Sequence, residues 1–323
     1  MSESRWNRAR EFGTLRSLRA FAAVLRRIPR PIGRCIVWVV GFYYSIRGRA
    51  ARRASRAYLE CVAASAEGRA ALGQPVDGGA VRRHVIEFAI ALYDRILVWG
   101  GALDSMQLEH DGSGEAFDLA KTGRGALLLG AHLGNVEMLW LISKRYRLPV
   151  NVVAYFDNAA MVNAFLESLD PERSVRVIGL DPGSVGAAFE IRACLERGEL
   201  VVILADRLPP GHGGRVAEAA FLGRPAPFPL APFLLAVTLG CPVVFTLCLR
   251  TADASYRTVL RPLSDGGRIP RAEREKAARE LLESYVGMLE QWCLRYPWQW
   301  FNFYDFWSGS SSSGDSSNRE DRA

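Results

Sequence analysis

Hydrophobic positions recur at helical spacing in the first third of the chain and in short continuous runs after it. Residues 15–28 put Leu18, Phe21, Ala22, Leu25 and Ile28 on one helical face, with Arg16, Arg19, Arg26 and Arg27 mostly off it. Pro29 and Pro31 end that helix. The apolar run 35–46 follows, bounded by Arg34 and Arg47. Its twelve residues would extend ~18 Å as a helix, against ~30 Å of hydrocarbon, so it reads as a short interfacial helix. Further helices are predicted over 47–64 and 80–98, separated by a Gly/Pro-containing loop near 73–79.

From about residue 124 short apolar runs alternate with amphipathic stretches. Strands are predicted over 126–131, 150–155, 175–179, 200–205, 242–249 and 257–260. Helices are predicted over 136–145, 159–168, 184–196, 231–239 and 271–296. This alternation predicts an α/β fold, a mainly parallel central sheet flanked by helices with right-handed crossovers. The organisation expected is a basic and apolar helical arm over 1–66, a catalytic domain over 67–307 and a disordered Ser/Gly-rich tail over 308–323.

Charge sharpens the picture of the arm. Residues 1–56 hold fourteen Arg and two acidic residues, a balance of +12. The whole chain is +7, so the remainder sums to −5. A nucleic-acid enzyme would spread basic residues around its site, and no nucleic-acid partner is expected. A basic arm rich in Trp, Tyr and Phe suits an anionic membrane surface, where each Arg contributes ~1 kcal/mol. The six cysteines include no C-x-x-C pair and read as buried thiols in a reducing compartment. No cleavable signal is apparent, because Arg-rich sequence follows the apolar run instead of a small-residue cleavage site.

Candidate chemistry concentrates in Gly125-Ala-Leu-Leu-Leu-Gly-Ala-His132-Leu-Gly-Asn-Val-Glu137. A strand ends at His132, Asn135 is a candidate helix N-cap, and Glu137 falls in the first helical turn. Open α/β sheets place ligands at the carboxyl ends of strands. The spacing lets a strand-end imidazole meet a helix-start carboxylate across a tight loop. Imidazole is a base near neutral pH, and a carboxylate on its far nitrogen fixes the tautomer and stabilises the imidazolium. A strand-end histidine and a carboxylate favoured by the helix dipole would look the same, so this motif alone decides little.

His132-Leu-Gly-Asn-Val-Glu137 resembles the H-x4-[DE] motif of the lysophospholipid acyltransferase superfamily, and most closely the late lauroyl and myristoyl transferases of lipid A biosynthesis. Gly198-Glu-Leu-Val-Val-Ile-Leu-Ala-Asp206-Arg207 is similar to their second block. Phe221-Leu-Gly-Arg-Pro225-Ala-Pro-Phe-Pro-Leu-Ala-Pro232 is similar to their third, and Pro297-Trp-Gln299-Trp300 matches their C-terminal P-x-Q-[YW]. Four blocks in the correct order over about residues 15–305 are far more specific than one motif. The resemblance implies that an acceptor hydroxyl or amine attacks an acyl thioester directly, with His132 as base and Glu137 as its orienting carboxylate. The donor would be acyl carrier protein or coenzyme A, the acceptor a membrane lipid, and the place the cytoplasmic face of a bacterial inner membrane. No metal or other cofactor is implied.

Asn135, Asp206, Arg207, Phe221, Gly223 and Pro225 are the candidate substrate-binding residues. Asp206 could anchor a loop, and Arg207 could meet a phosphate or the thioester oxygen. Phe221, Gly223 and Pro225 would shape a substrate loop. Residues 296–307 hold eight aromatics in twelve, which suits an acyl channel, an interfacial belt or a core-packed terminal strand. Two departures bear on the acceptor: Phe301-Asn-Phe-Tyr-Asp-Phe-Trp307 stands where a basic stretch is usual, and Tyr155-Phe-Asp-Asn-Ala-Ala-Met161 lacks the family's Arg/Asn-Pro pattern. Gly183-Ser184-Val-Gly186 is not a nucleophile elbow, and His84, His110 and His212 lack metal-ligand spacing. The rival readings are a catalytically silent membrane module that holds a lipid or carrier protein, and a lipid-dependent glycosyltransferase.

Overall fold

The structure, a computed structural model, describes residues 27–99, 106–111, 123–139, 143, 148–154, 175–179, 186–208 and 215–308. Helices α1 (Arg30–Arg47), α2 (Arg49–Ala64), α3 (Ala66–Leu72) and α4 (Gly78–Trp99) come first. Strands β1 (Gln107–Asp111) and β2 (Ala126–Gly130) follow, then a single 3-10 turn, Val136–Met138. Next are β3 (Val150–Ala154), β4 (Val175–Gly179), α5 (Gly186–Glu196) and β5 (Leu200–Leu204). The hairpin β6 (Val216–Phe221) and β7 (Arg224–Pro229) leads to α6 (Ala231–Leu239), β8 (Val243–Ala252), β9 (Ser255–Ser264) and the long α7 (Arg274–Arg295).

Seven strands form one sheet in the order β1-β9-β8-β2-β5-β3-β4. Every neighbouring pair is parallel except β8 with β9, so β1 and β9 run against the other five. The apolar runs are continuous because the central strands are buried on both faces. Leu127 and Leu129 of β2 join one core with Tyr285 and Leu289 of α7. Ala126 and Leu128 join the other with Leu97 and Val98 of α4 and Met138. The six predicted strands are all present, with 242–249 and 257–260 extended into a long hairpin. Strand β1 and the β6–β7 hairpin are additions to the sequence reading. The predicted helices over 15–28 and 159–168, and the tail, fall largely outside the described residues. Of the cysteines expected to be buried, Cys194, Cys241, Cys248 and Cys293 are, whereas Cys35 is exposed on α1 and Cys61 on α2 is half-buried.

At the N-terminal end α1 packs on α4 in an unusual orientation. Its buried positions are Gly33, Gly41 and Ser45, spaced so that they line one face. A Cβ on Gly33 would stand 2.1 Å from the Tyr93 hydroxyl, so a larger residue there would have to displace the Tyr93 ring. The large side chains Ile32, Ile36, Trp38, Val39, Val40, Tyr43, Tyr44 and Ile46 are exposed. Arg30 ties the helix to α4 through Asp94 at 2.7 Å and to the β8–β9 turn through Asp253 at 2.9 Å. Among the described residues no helix is long and apolar enough to cross a membrane.

Candidate active site

Strands β2 and β5 lie side by side in register, Ala126 opposite Leu200 and Gly130 opposite Leu204. Continuing that register, His132 and Asp206 each stand two residues past the last pair, at the same strand end. Their side chains meet there. The His132 Nδ1 lies 2.8 Å from Asp206 Oδ1, and the His132 backbone N–H donates to Asp206 Oδ2 at 3.0 Å. The Trp300 indole N–H donates to the same Oδ2 at 3.1 Å. Asp206 is fully buried. Burial pushes its pKa up, but the His132 ring and its hydrogen bonds, with the Arg207 charge, hold it down at about 2. A carboxylate can only accept, so the imidazole proton sits on Nδ1 and Nε2 is the free nitrogen. The His132 side chain keeps 29% of its exposure, so the ring is partly open to a reactant.

The loop that carries His132 is held from both sides. On one side Phe301 N–H donates to the His132 carbonyl at 3.0 Å, and Gly134 N–H donates to the Gln299 carbonyl at 2.9 Å. Leu133 and Trp300 thereby form an antiparallel bridge. On the other side Asn135 N–H donates to the Cys248 carbonyl of β8 at 2.7 Å. Gly134 has φ +81, and a Cβ there would stand 2.1 Å from the Cys248 carbonyl oxygen. Glycine is thus required both by backbone conformation and by space. The Gln299 amide closes the frame, accepting from Arg250 N–H at 2.9 Å and donating to the Arg250 carbonyl at 2.8 Å.

Several predicted residues land elsewhere. The orienting contact expected of Glu137 is made by Asp206, because strand adjacency puts Asp206 directly behind the ring. Glu137 instead pairs with Arg95 of α4 at 2.7 Å. Asp206, expected among the substrate contacts, faces His132 from inside the protein. Asn135 is buried, donates from Nδ2 to the Ala91 carbonyl at 3.1 Å, and makes no side-chain cap. Arg207 donates to the Phe301 carbonyl and lies over the Tyr304 ring at 5.8 Å. Burial pushes its pKa down, partly opposed by the Asp206 charge. The block predicted as a substrate loop is the β6–β7 hairpin. Its turn is Leu222-Gly223, both at positive φ, with Pro225 opposite Ala220. Phe221 is fully buried, edge-on to Trp300 at 5.2 Å and to Phe228 at 5.8 Å, so it fills core and touches no open space.

Arg95 and the polar work of Gln299 and Trp300 escaped the sequence reading. The position of Pro297-Trp-Gln299-Trp300 as a matched block pointed toward Gln299 and Trp300, and nothing in the sequence pointed to Arg95. Among the described residues no group of three or more His, Cys, Asp or Glu could hold a metal ion. Ser184 and His212 lie outside the described residues.

A family model for bacterial lipid A biosynthesis acyltransferases matches residues 19–308. The match takes in β2 with its loop, β5, the hairpin and the segment 297–300. No curated protein matches the chain.

Proposed function

The chain belongs to the bacterial lipid A biosynthesis acyltransferase family, and from that premise we propose direct acyl transfer by His132 with Asp206 as its orienting carboxylate. The donor in this reading is an acyl thioester on acyl carrier protein or coenzyme A. The acceptor is a hydroxyl or amine of a membrane lipid. The observation that carries the reading is the Nδ1–Asp206 contact at 2.8 Å, which leaves Nε2 free at a strand end.

Nε2 accepts the acceptor's proton as its oxygen or nitrogen attacks the thioester carbonyl carbon. The tetrahedral intermediate collapses with cleavage of the C–S bond. The imidazolium then returns its proton to the departing thiolate, and an ester or amide and a free thiol leave. Asp206 remains ionised throughout and stabilises the imidazolium. Glu137 has a supporting part, since its pair with Arg95 ties the start of the 3-10 turn to α4.

The exposed apolar face of α1 is the proposed contact with lipid. Arg47 and Arg49 at its C-terminal end are exposed beside it, which suits the anionic cytoplasmic surface of a bacterial inner membrane. That placement brings the thioester, which is made in the cytosol, to a lipid acceptor.

The experiment is transfer of a radiolabelled acyl group from its thioester to a membrane lipid extract. His132→Ala is expected to lose at least ~10²–10⁴ in rate while unfolding at the wild-type midpoint. Near-normal turnover of the folded variant would exclude His132 as the base. Dependence on a sugar nucleotide would point to glycosyl transfer, and lipid binding without turnover to a silent module.

A further inference from the structure

Behind Asp206 runs a line of buried polar groups that acyl transfer as described does not use. His84 of α4 is fully buried, with Nε2 3.0 Å from the Trp300 carbonyl oxygen and Nδ1 2.9 Å from Ser55 Oγ of α2. The carbonyl can only accept, so Nε2 carries the proton. Nδ1 must then accept from the Ser55 hydroxyl. Burial drives the His84 pKa down to about 4, which keeps the ring neutral and this tautomer in place.

Trp300 is the joint of the line. Its carbonyl is held by His84, its main chain is bridged to Leu133, and its indole N–H reaches Asp206. Tyr58 at 4.8 Å, Phe306 at 5.0 Å and Phe221 at 5.2 Å wall in the ring. The N–H is therefore aimed before any substrate arrives. Oδ2 of Asp206 receives two N–H groups, from Trp300 and from the His132 main chain, which leaves Oδ1 turned to the imidazole. Without the indole, Oδ2 keeps only the His132 backbone donor, and the carboxylate is held by His132 alone and is freer to rotate about its Cβ–Cγ bond.

We infer that Ser55, His84 and Trp300 are positioning residues that lock the Asp206 carboxylate and, through it, the Nδ1–H tautomer of His132. The catalytic consequence rests on the acyl-transfer reading above; the tautomer does not. The rival is simple packing, in which His84 and Trp300 only fill space. Conservative variants separate the two. Trp300→Phe removes the N–H and keeps most of the ring volume. His84→Gln keeps a donor near the Nε2 position, whereas His84→Leu removes it.

The test is the ¹⁵N spectrum of the imidazoles in the full chain at neutral pH. There are four histidines, and His132 is assigned by its loss in His132→Gln. Wild type is expected to carry the His132 proton on Nδ1. Trp300→Phe should move its two nitrogen shifts toward a tautomer mixture, with kcat about ten- to hundredfold lower and KM little changed. His84→Leu should do the same more weakly, and His84→Gln should restore the wild-type spectrum. Ser55→Ala, which loses one hydroxyl, should resemble a milder His84→Leu and carries the test if larger changes unfold the chain. A His132 spectrum unchanged by Trp300→Phe, by His84→Leu and by Ser55→Ala would overturn the inference. So would a Gln variant as perturbed as Leu. Tautomer shifts in a protein with no acyl transfer would sink the proposed function and leave the positioning line standing. Transfer with an unmoved tautomer would do the reverse.

Discussion

Helix α1 and the segment 296–307 are both dense in aromatic residues and face opposite ways. Trp38, Tyr43 and Tyr44 of α1 are exposed, whereas Trp300, Phe301, Phe306 and Trp307 are buried. The residues between the rings make the difference. In α1 the small Gly33, Gly41 and Ser45 take the inner face, so the helix backbone lies against α4 and most of the large apolar side chains turn outward, with Val37 and Phe42 half-buried. In the terminal segment the main chain bonds the His132 loop, and Gln299 pairs with the Arg250 backbone. With the backbone satisfied, the rings can sit against the sheet and the β6–β7 hairpin. Aromatic density therefore identifies surfaces that matter and leaves their direction to the small and polar neighbours.

Substitutions on the two sides should separate accordingly. The largest effect is expected at the carboxylate the terminal segment holds. Asp206→Asn should cost about 10³–10⁴ in kcat, since the amide favours the wrong His132 tautomer. Steady-state kinetics on the folded variant check this, and a loss below tenfold would remove Asp206 from the orienting role. Next comes a matched pair of truncations followed by urea unfolding. Phe221→Ala in the buried cluster should destabilise by about 3–5 kcal/mol, whereas Trp38→Ala on α1 should stay within about 0.5 kcal/mol. Equal losses would erase the distinction.

Acid gives the third probe. The folded-state pKa of His84 is depressed to about 4 from 6.5, so the unfolded chain binds the proton more readily between those values. Stability is then full above about pH 6.5 and falls by about 3 kcal/mol as the pH drops to about 4. His84→Gln should flatten that fall, as read from unfolding midpoints across the range. Asp206, depressed to about 2, adds a loss only below about pH 4. The smallest effects are expected on α1. Changing Trp38, Val39 or Tyr43 to Ser should each lower binding to anionic vesicles by about tenfold, with thermal stability unchanged. Vesicle co-sedimentation unaffected by all three would show that α1 does not meet lipid.

The central strands were legible because burial on both faces writes them as unbroken apolar runs, as in Leu200–Leu204. His132 stood out as the residue at which such a run stops. Its partner did not, since 74 residues separate it from Asp206. That separation is the β2–β5 register itself, Gly130 opposite Leu204, and becomes visible only once those strands are known to be neighbours. Glu137 was the nearer carboxylate along the chain, but the turn after Gly134 carries it toward Arg95. The hairpin was hidden for another reason. Prolines at 225, 227 and 229 remove strand donors and read as a loop, yet a separate two-stranded ribbon tolerates them. For 296–307, composition allowed channel, belt or core, and the packing around Trp300 puts much of it in the core, with Tyr304 left partly exposed.

The bridge between Leu133 and Trp300 also has a meaning in time. Synthesis at ~5–20 residues per second separates the two residues by roughly 10–30 s, so the nascent chain holds its base long before the segment that frames it. Until Gln299–Phe301 arrives, the His132 loop lacks one edge and Asp206 lacks the indole. A chain ending before residue 299 is accordingly expected to be inert, however well its sheet has formed. Residues 299–301 thus act as a completion signal, withholding activity from any product that ribosomes or proteases have left short of them.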